Sequence, residues 1–304
     1  MQNLGIEYKL TGEIARGEVA SYHRKPSPLD LNKTKHSIDI SGLKRPARRS
    51  ILIDQYQGEY YSQFSIGFEV EKVLLHRNSV REYELFCGFE RDASCGYEAV
   101  THILPLLPAG SWRTKVFDMM HKAEKVIDDR YSPSDKTCGG HISVSVSGYS
   151  ADDIRIRVRP YSGIILALFR HRLNNRYCGA NRRMQGNHDD TYDSTNAGIM
   201  YSPYSNHSKY QLALMKGNVL EFRLPSRFES VKQMMRRYEL FYELLDYAFN
   251  VKGSYGAFIK KITPLVISMY NGNVQTANEV LGLSKYFQDY INTGERNPKI
   301  RQFL

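Results

Sequence analysis

Phe64-Ser65-Ile66-Gly67-Phe68-Glu69-Val70-Glu71 alternates apolar with small or charged residues without a break. Successive side chains of a β-strand point to opposite faces. Phe64, Ile66, Phe68 and Val70 therefore share one face, and Glu69 and Glu71 stand together on the other. Two like charges held that close are unfavourable unless solvent or a cation compensates them. Two readings follow: an exposed sheet face with both glutamates solvated, or a pair of oxygen donors for a hard divalent cation such as Mg²⁺. Taken alone, the stretch favours the solvated face.

Three segments further along repeat the theme. Arg91-Asp92-Ala93-Ser94-Cys95-Gly96-Tyr97-Glu98 reads as a turn that leads Glu98 into a strand and brings Asp92 near it. In Thr137-Cys138-Gly139-Gly140-His141-Ile142-Ser143-Val144-Ser145, Ile142, Val144 and Val146 form the apolar face. His141, Ser143, Ser145 and Ser147 take the other, and the paired glycines are consistent with close backbone approach to a ligand. A histidine so placed can ligate a metal or bind phosphate, or it can simply be solvated. In Val219-Leu220-Glu221-Phe222-Arg223-Leu224, Glu221 and Arg223 share the face opposite Leu220, Phe222 and Leu224. That pair is either a structural ion pair or a metal ligand beside a phosphate-binding guanidinium. Jointly these strands describe a sheet with a packed back and an ionisable front, in an α+β fold.

The order G-x-E-x-E (67–71), an acidic turn with G-Y-E-A-V (96–100), C-G-x-H (138–141) and E-F-R (221–223) resembles the amidoligase group. That group comprises carboxylate–amine ligases related to glutamate–cysteine ligase and glutamine synthetase. The likeness covers roughly 65 to 250. It implies a curved antiparallel sheet of the glutamine synthetase type with helices on its apolar back. It also implies ATP and two or three Mg²⁺ ions, held by Glu69, Glu71, Asp92, Glu98, His141 and Glu221. Arg223 would contact the transferring phosphate, Glu69 and Arg223 being the catalytic pair. Lys209, Arg182 and Arg183 would touch nucleotide or phosphate, and Arg176 and Tyr177 the substrate. The reaction implied is formation of an acyl phosphate from a carboxylate and ATP, then its capture by an amine. Carboxylate and amine alike would be small molecules or peptides. Relatives often carry a second histidine where this chain has Ser143, which removes one possible ligand.

The whole chain fits a protein of this kind. It has 304 residues, 41% hydrophobic and 24% charged, enough for one large or two modest cores. No apolar run is long enough for a membrane span, and Met1–Leu10 lacks the apolar stretch of a secretory signal. Cys87, Cys95, Cys138 and Cys178 are scattered, which favours a reducing, cytoplasmic setting with the thiols as small core or near-site residues. A net charge of +10 draws anions, whether nucleotide, acidic substrate or nucleic acid.

Residues 1–60 are basic and proline-bearing, and are expected as an extended arm that is solvated or reaches a second subunit. Residues 61–250 are expected as the catalytic domain and 251–304 as a helical extension. Strands are expected at Phe64–Glu71, Gly140–Ser147, Ile154–Arg159 and Val219–Leu224. Helices are expected over Thr114–Asp129, Ala257–Ile267 and Val274–Tyr290. Gly163–Leu173 is expected to be buried, and Ser226 with Glu229 to form a capping box for a further helix. Residues 174–208 read as a long functional loop. Two other functions fit parts of the pattern: a nucleic-acid-binding or assembly protein on an inactive ligase-like fold, and a guanidino-kinase-type phosphotransferase.

Overall fold

The computed structural model describes residues 62–73, 83–92, 95–128, 137–175, 178, 212–216 and 218–304, with the side chains of 89–92 and 216 excepted. The chain divides into two units. One takes Met1–Ala151, Lys216–Glu221 and Arg227–Met235; the other takes Asp152–Met215, Phe222–Ser226 and Arg236–Leu304. The expected arm, 1–60, lies outside the described residues, as do almost all of 174–208.

The first unit is built on an open antiparallel sheet. Its elements in chain order are β1 (Phe64–Lys72), β2 (Phe86–Asp92), β3 (Gly96–Thr101), β4 (Leu104–Pro105), α1 (Ser111–Lys122), α2 (Glu124–Ile127) and β5 (Ile142–Val146). The central strand, β1, has β5 on one edge, with Phe64 opposite Val146 and Phe68 opposite Ile142. Its other edge is shared: β4 pairs at Ser65 and Ile66, and β3 takes over from Glu69 to Lys72. Between the two, the Phe68 N–H donates to Thr101 Oγ1 at 2.9 Å, so the ladder loses no hydrogen bond at the change of partner. The β2–β3 hairpin depends on Gly96. Its φ is +113°, and a Cβ there would lie 2.7 Å from the Val73 carbonyl oxygen.

The apolar face of β1 packs as its alternation predicts. Phe64, Ile66, Phe68 and Val70 are all buried, and Phe68 meets Phe228 edge-to-face at 5.6 Å. Lys72 ends this face and is fully buried. Its ammonium donates to the carbonyls of Ile127 at 2.8 Å and Phe228 at 3.0 Å, which satisfies the buried charge and ties the strand to both segments.

The expected strand at Ile154–Arg159 is instead helical: α3 (Ala151–Val158) followed by a 3₁₀ turn, Arg159–Tyr161. Ile154 and Val158, one turn apart, are fully buried, whereas Ile156 between them is 55% exposed. That is a helical period, not a two-residue one. Asp152 and Asp153 in the first turn and Arg155 and Arg157 in the last complement the helix dipole.

The second unit continues with α4 (Gly163–Leu168), wholly buried as expected, and β6 (Ala213–Lys216). The chain then forms β7 (Val219–Phe222), which follows β5 in the strand order, and α5 (Val231–Asp246). The capping expected from Ser226 and Glu229 falls elsewhere. Ser230 Oγ accepts from the Gln233 N–H at 3.3 Å, and Asp128 Oδ1 accepts from the Val231 N–H at 2.7 Å. The S-x-x-Q run 230–233, not 226–229, carries the signal. Helices α6 (Tyr255–Met269), α7 (Val274–Thr293) and α8 (Pro298–Arg301) complete the chain. Ser254, Asn273 and Asn297 each cap one of them by accepting a first-turn N–H. Gly163 lets α4 press on α7. A Cβ at this position would lie 2.5 Å from the Ser284 carbonyl oxygen, and the Gly163 N–H donates to Gln288 Oε1 at 2.9 Å. Among the described residues no helix is long and apolar enough to cross a membrane.

Candidate metal centre

The non-apolar face of β1 is not solvated. Glu69 is fully buried and Glu71 only 4% exposed, which removes the reading as an exposed acidic face. Both carboxylates converge on His141, a residue that enters β5 directly opposite: the Glu69 N–H donates to the His141 carbonyl at 3.0 Å. Glu69 Oε2 lies 2.8 Å from His141 Nδ1, and Glu71 Oε1 lies 3.2 Å from the same nitrogen. The second Glu71 oxygen accepts the Gly139 N–H at 2.5 Å. The close backbone approach expected of the paired glycines is thus an approach to a carboxylate.

A single ring nitrogen carries at most one proton, yet two buried carboxylates point at it. Burying two carboxylates side by side is costly unless positive charge or donors compensate them. The donor atoms of Glu69, Glu71 and His141 all lie within 4.8 Å of one another. The 2.8 and 3.2 Å separations bracket the edge of an octahedron with bonds of about 2.1 Å, roughly 3.0 Å, the geometry of Mg²⁺-sized ions. Two carboxylates and an imidazole could hold a divalent cation, the carboxylates being the donors a hard ion prefers.

Two other expected ligands, Glu98 and Glu221, are buried on strands of the same sheet and are not part of this group. Glu98 is opposite Glu71 in the β1–β3 register and 1% exposed; Glu221, on β7, is fully buried. Asp92 ends β2 opposite Gly96, and Glu98 is paired instead with Glu90. The register therefore lines up three glutamate positions, Glu90, Glu98 and Glu71, across three strands. Glu90 was not singled out from sequence, although it alternates with Asp92 along β2; only the pairing marks it. Ser143 is a second addition. It follows His141 by two residues on the same face and is 4% exposed. Its Oγ has no hydrogen-bond partner among the described residues.

Cys138 adjoins the Gly139 turn and is fully buried. A hydrogen bond from Cys95 holds its thiol below the usual value, outweighing the opposing effects of burial and the Glu71 charge. All four cysteines are free. Arg223 follows β7 in the second unit, part-buried, with its main-chain N–H on the Leu212 carbonyl at 2.8 Å. Arg176, Tyr177, Arg182, Arg183, Lys209 and the Asp92 side chain lie outside the described residues. No family model, no curated protein and no solved structure matches this chain.

Proposed function

We propose that this protein is an ATP- and Mg²⁺-dependent carboxylate–amine ligase of the amidoligase group, on a sheet of the glutamine synthetase type. The observation that carries the reading is the convergence of Glu69, Glu71 and His141 in a buried site. They come from two motifs 70 residues apart in sequence, with Glu98 and Glu221 buried on strands of the same sheet.

Glu69, Glu71 and His141 would hold one divalent ion, and Glu98 on β3 and Glu221 on β7, on opposite sides of β1, would each contribute to a different further ion. Ions in such a site neutralise charge on the phosphates of ATP as phosphoryl transfer proceeds. The chain's own residues set the stage for that transfer. The Gly139 N–H fixes one oxygen of Glu71 and leaves the other facing His141. The main-chain bond from Glu69 to His141 locks the strands that carry the donors. Burial of the group excludes water that would compete for an acyl phosphate. The amine would then capture the activated carboxylate.

Calorimetric titration of ATP into the full chain, with and without Mg²⁺, tests the reading. ATP should bind only with the metal, and Glu69→Gln should weaken binding at least tenfold. Metal-independent binding, or an unaffected variant, would overturn it. Phosphate transfer to a guanidino acceptor without amide formation would move the protein to the kinase class on the same site.

A further inference from the structure

The arginine-rich run 155–159 takes no part in the proposed chemistry, yet it lines an open surface cleft. Arg155, Ile156, Arg159 and Pro160 from the α3 region, with Asn292 from the end of α7, line a space of about 380 Å³. That is within the range of small-ligand sites, roughly 300–1,000 Å³.

The lining combines polar and apolar side chains. The Arg155 side chain is only 15% exposed, and its Nε donates to Asp152 at 2.6 Å. A guanidinium has five N–H donors, and Arg155 has no other partner among the described residues. Arg159 is held in place by its Nη2, which donates to the Ile291 carbonyl at 2.8 Å. The Asn292 amide oxygen accepts from Gln288 Nε2 at 3.2 Å, which orients its NH₂ group as a donor. Against these stand Pro160 and Ile156, the latter 55% exposed and one of the few large aliphatic side chains so placed.

We propose that this cleft binds a small monocarboxylate with an apolar body. The carboxylate takes the planar donor fork that Arg155 leaves open, a geometry that guanidinium matches with two parallel hydrogen bonds. The apolar body lies along Ile156 and Pro160. Inorganic phosphate is the poorer fit, because Asp152 repels a dianion and the aliphatic side offers it nothing. The site lies within the second unit and does not depend on the ligase reading.

Hexanoate, titrated calorimetrically into the full chain without ATP or metal, is the probe, with inorganic phosphate and hexylammonium as controls. Hexanoate should bind with one-to-one stoichiometry and at least tenfold more tightly than either control. Arg155→Gln should weaken it by about tenfold or more, the usual consequence of losing a charge-assisted hydrogen bond. Ile156→Ser should weaken it severalfold. Arg157→Gln removes a side chain that packs over the Phe249 ring instead of lining the cleft, and should leave binding unchanged. Circular dichroism on each variant separates a lost site from a lost fold, and Ile156→Ser tests the cleft without touching a charge. Absence of hexanoate binding, equal binding by a folded Arg155→Gln, or tighter binding of phosphate would each overturn the proposal.

Discussion

The front of β1 and the aromatic core of the second unit are buried to the same degree but held by opposite physics. In the second unit Phe258 is fully buried. Its ring lies 5.3 Å from that of Tyr161 and 5.2 Å from that of Tyr247, in edge-on and tilted contacts that each contribute. The polar tips there are satisfied: the Tyr161 hydroxyl donates to the Gly253 carbonyl at 2.6 Å. In the first unit Glu69 and Glu71 are buried side by side against one imidazole. Packing that gains free energy at every contact is there for stability. Burial of like charges side by side costs stability, which is what the proposed divalent cation would offset.

The contrast can be broken from either side. The largest effect is expected in the aromatic core, where Phe258→Ala should lower unfolding free energy by about 3–5 kcal/mol in denaturant melts. A loss below about 1 kcal/mol would mean the core is not what holds the second unit. In the acidic group the sign should reverse. Glu71→Gln leaves a matched Glu69–His141 pair and still accepts from Gly139, so the metal-free variant should be more stable by about 1 kcal/mol, while Mg²⁺ no longer raises its Tm. A clear destabilisation would make the three residues a structural network instead of a binding site.

The smallest effect concerns Tyr255, whose hydroxyl donates to the Ser284 carbonyl at 3.1 Å. Burial raises its pKa above the ordinary 10.0. The folded protein therefore keeps this proton where the unfolded chain has lost it, and stability should fall as pH rises past about 10. Tyr255→Phe should cost about 1 kcal/mol at neutral pH and flatten that alkaline decline. An unchanged slope above pH 10 would assign the decline to other tyrosines.

The long helices α6 and α7 were legible because a 3.6-residue period over fifteen or more residues has few competing explanations. The segment 154–159 was not, because Ile154, Ile156 and Val158 together fit a two-residue period, whereas Ile154 and Val158 alone fit a helical one. Which one holds depends on Ile156 facing outward, and that is decided by neighbours. The dipole pattern, Asp152-Asp153 before the arginines, was the local signal available and pointed to a helix. The cap of α5 shows the same limit: half of it comes from Asp128, 103 residues away.

The sequence by itself determined the alternation of β1, β5 and β7, and with it the shared face of Glu69 and Glu71 and the like-facing place of His141, since backbone geometry fixes which side chains point together. Only the tertiary structure decided that this face is closed to water. It also set His141 between the two carboxylates and lined up Glu90, Glu98 and Glu71. Burial and register arise from pairing between strands far apart in the chain, and no local pattern encodes them.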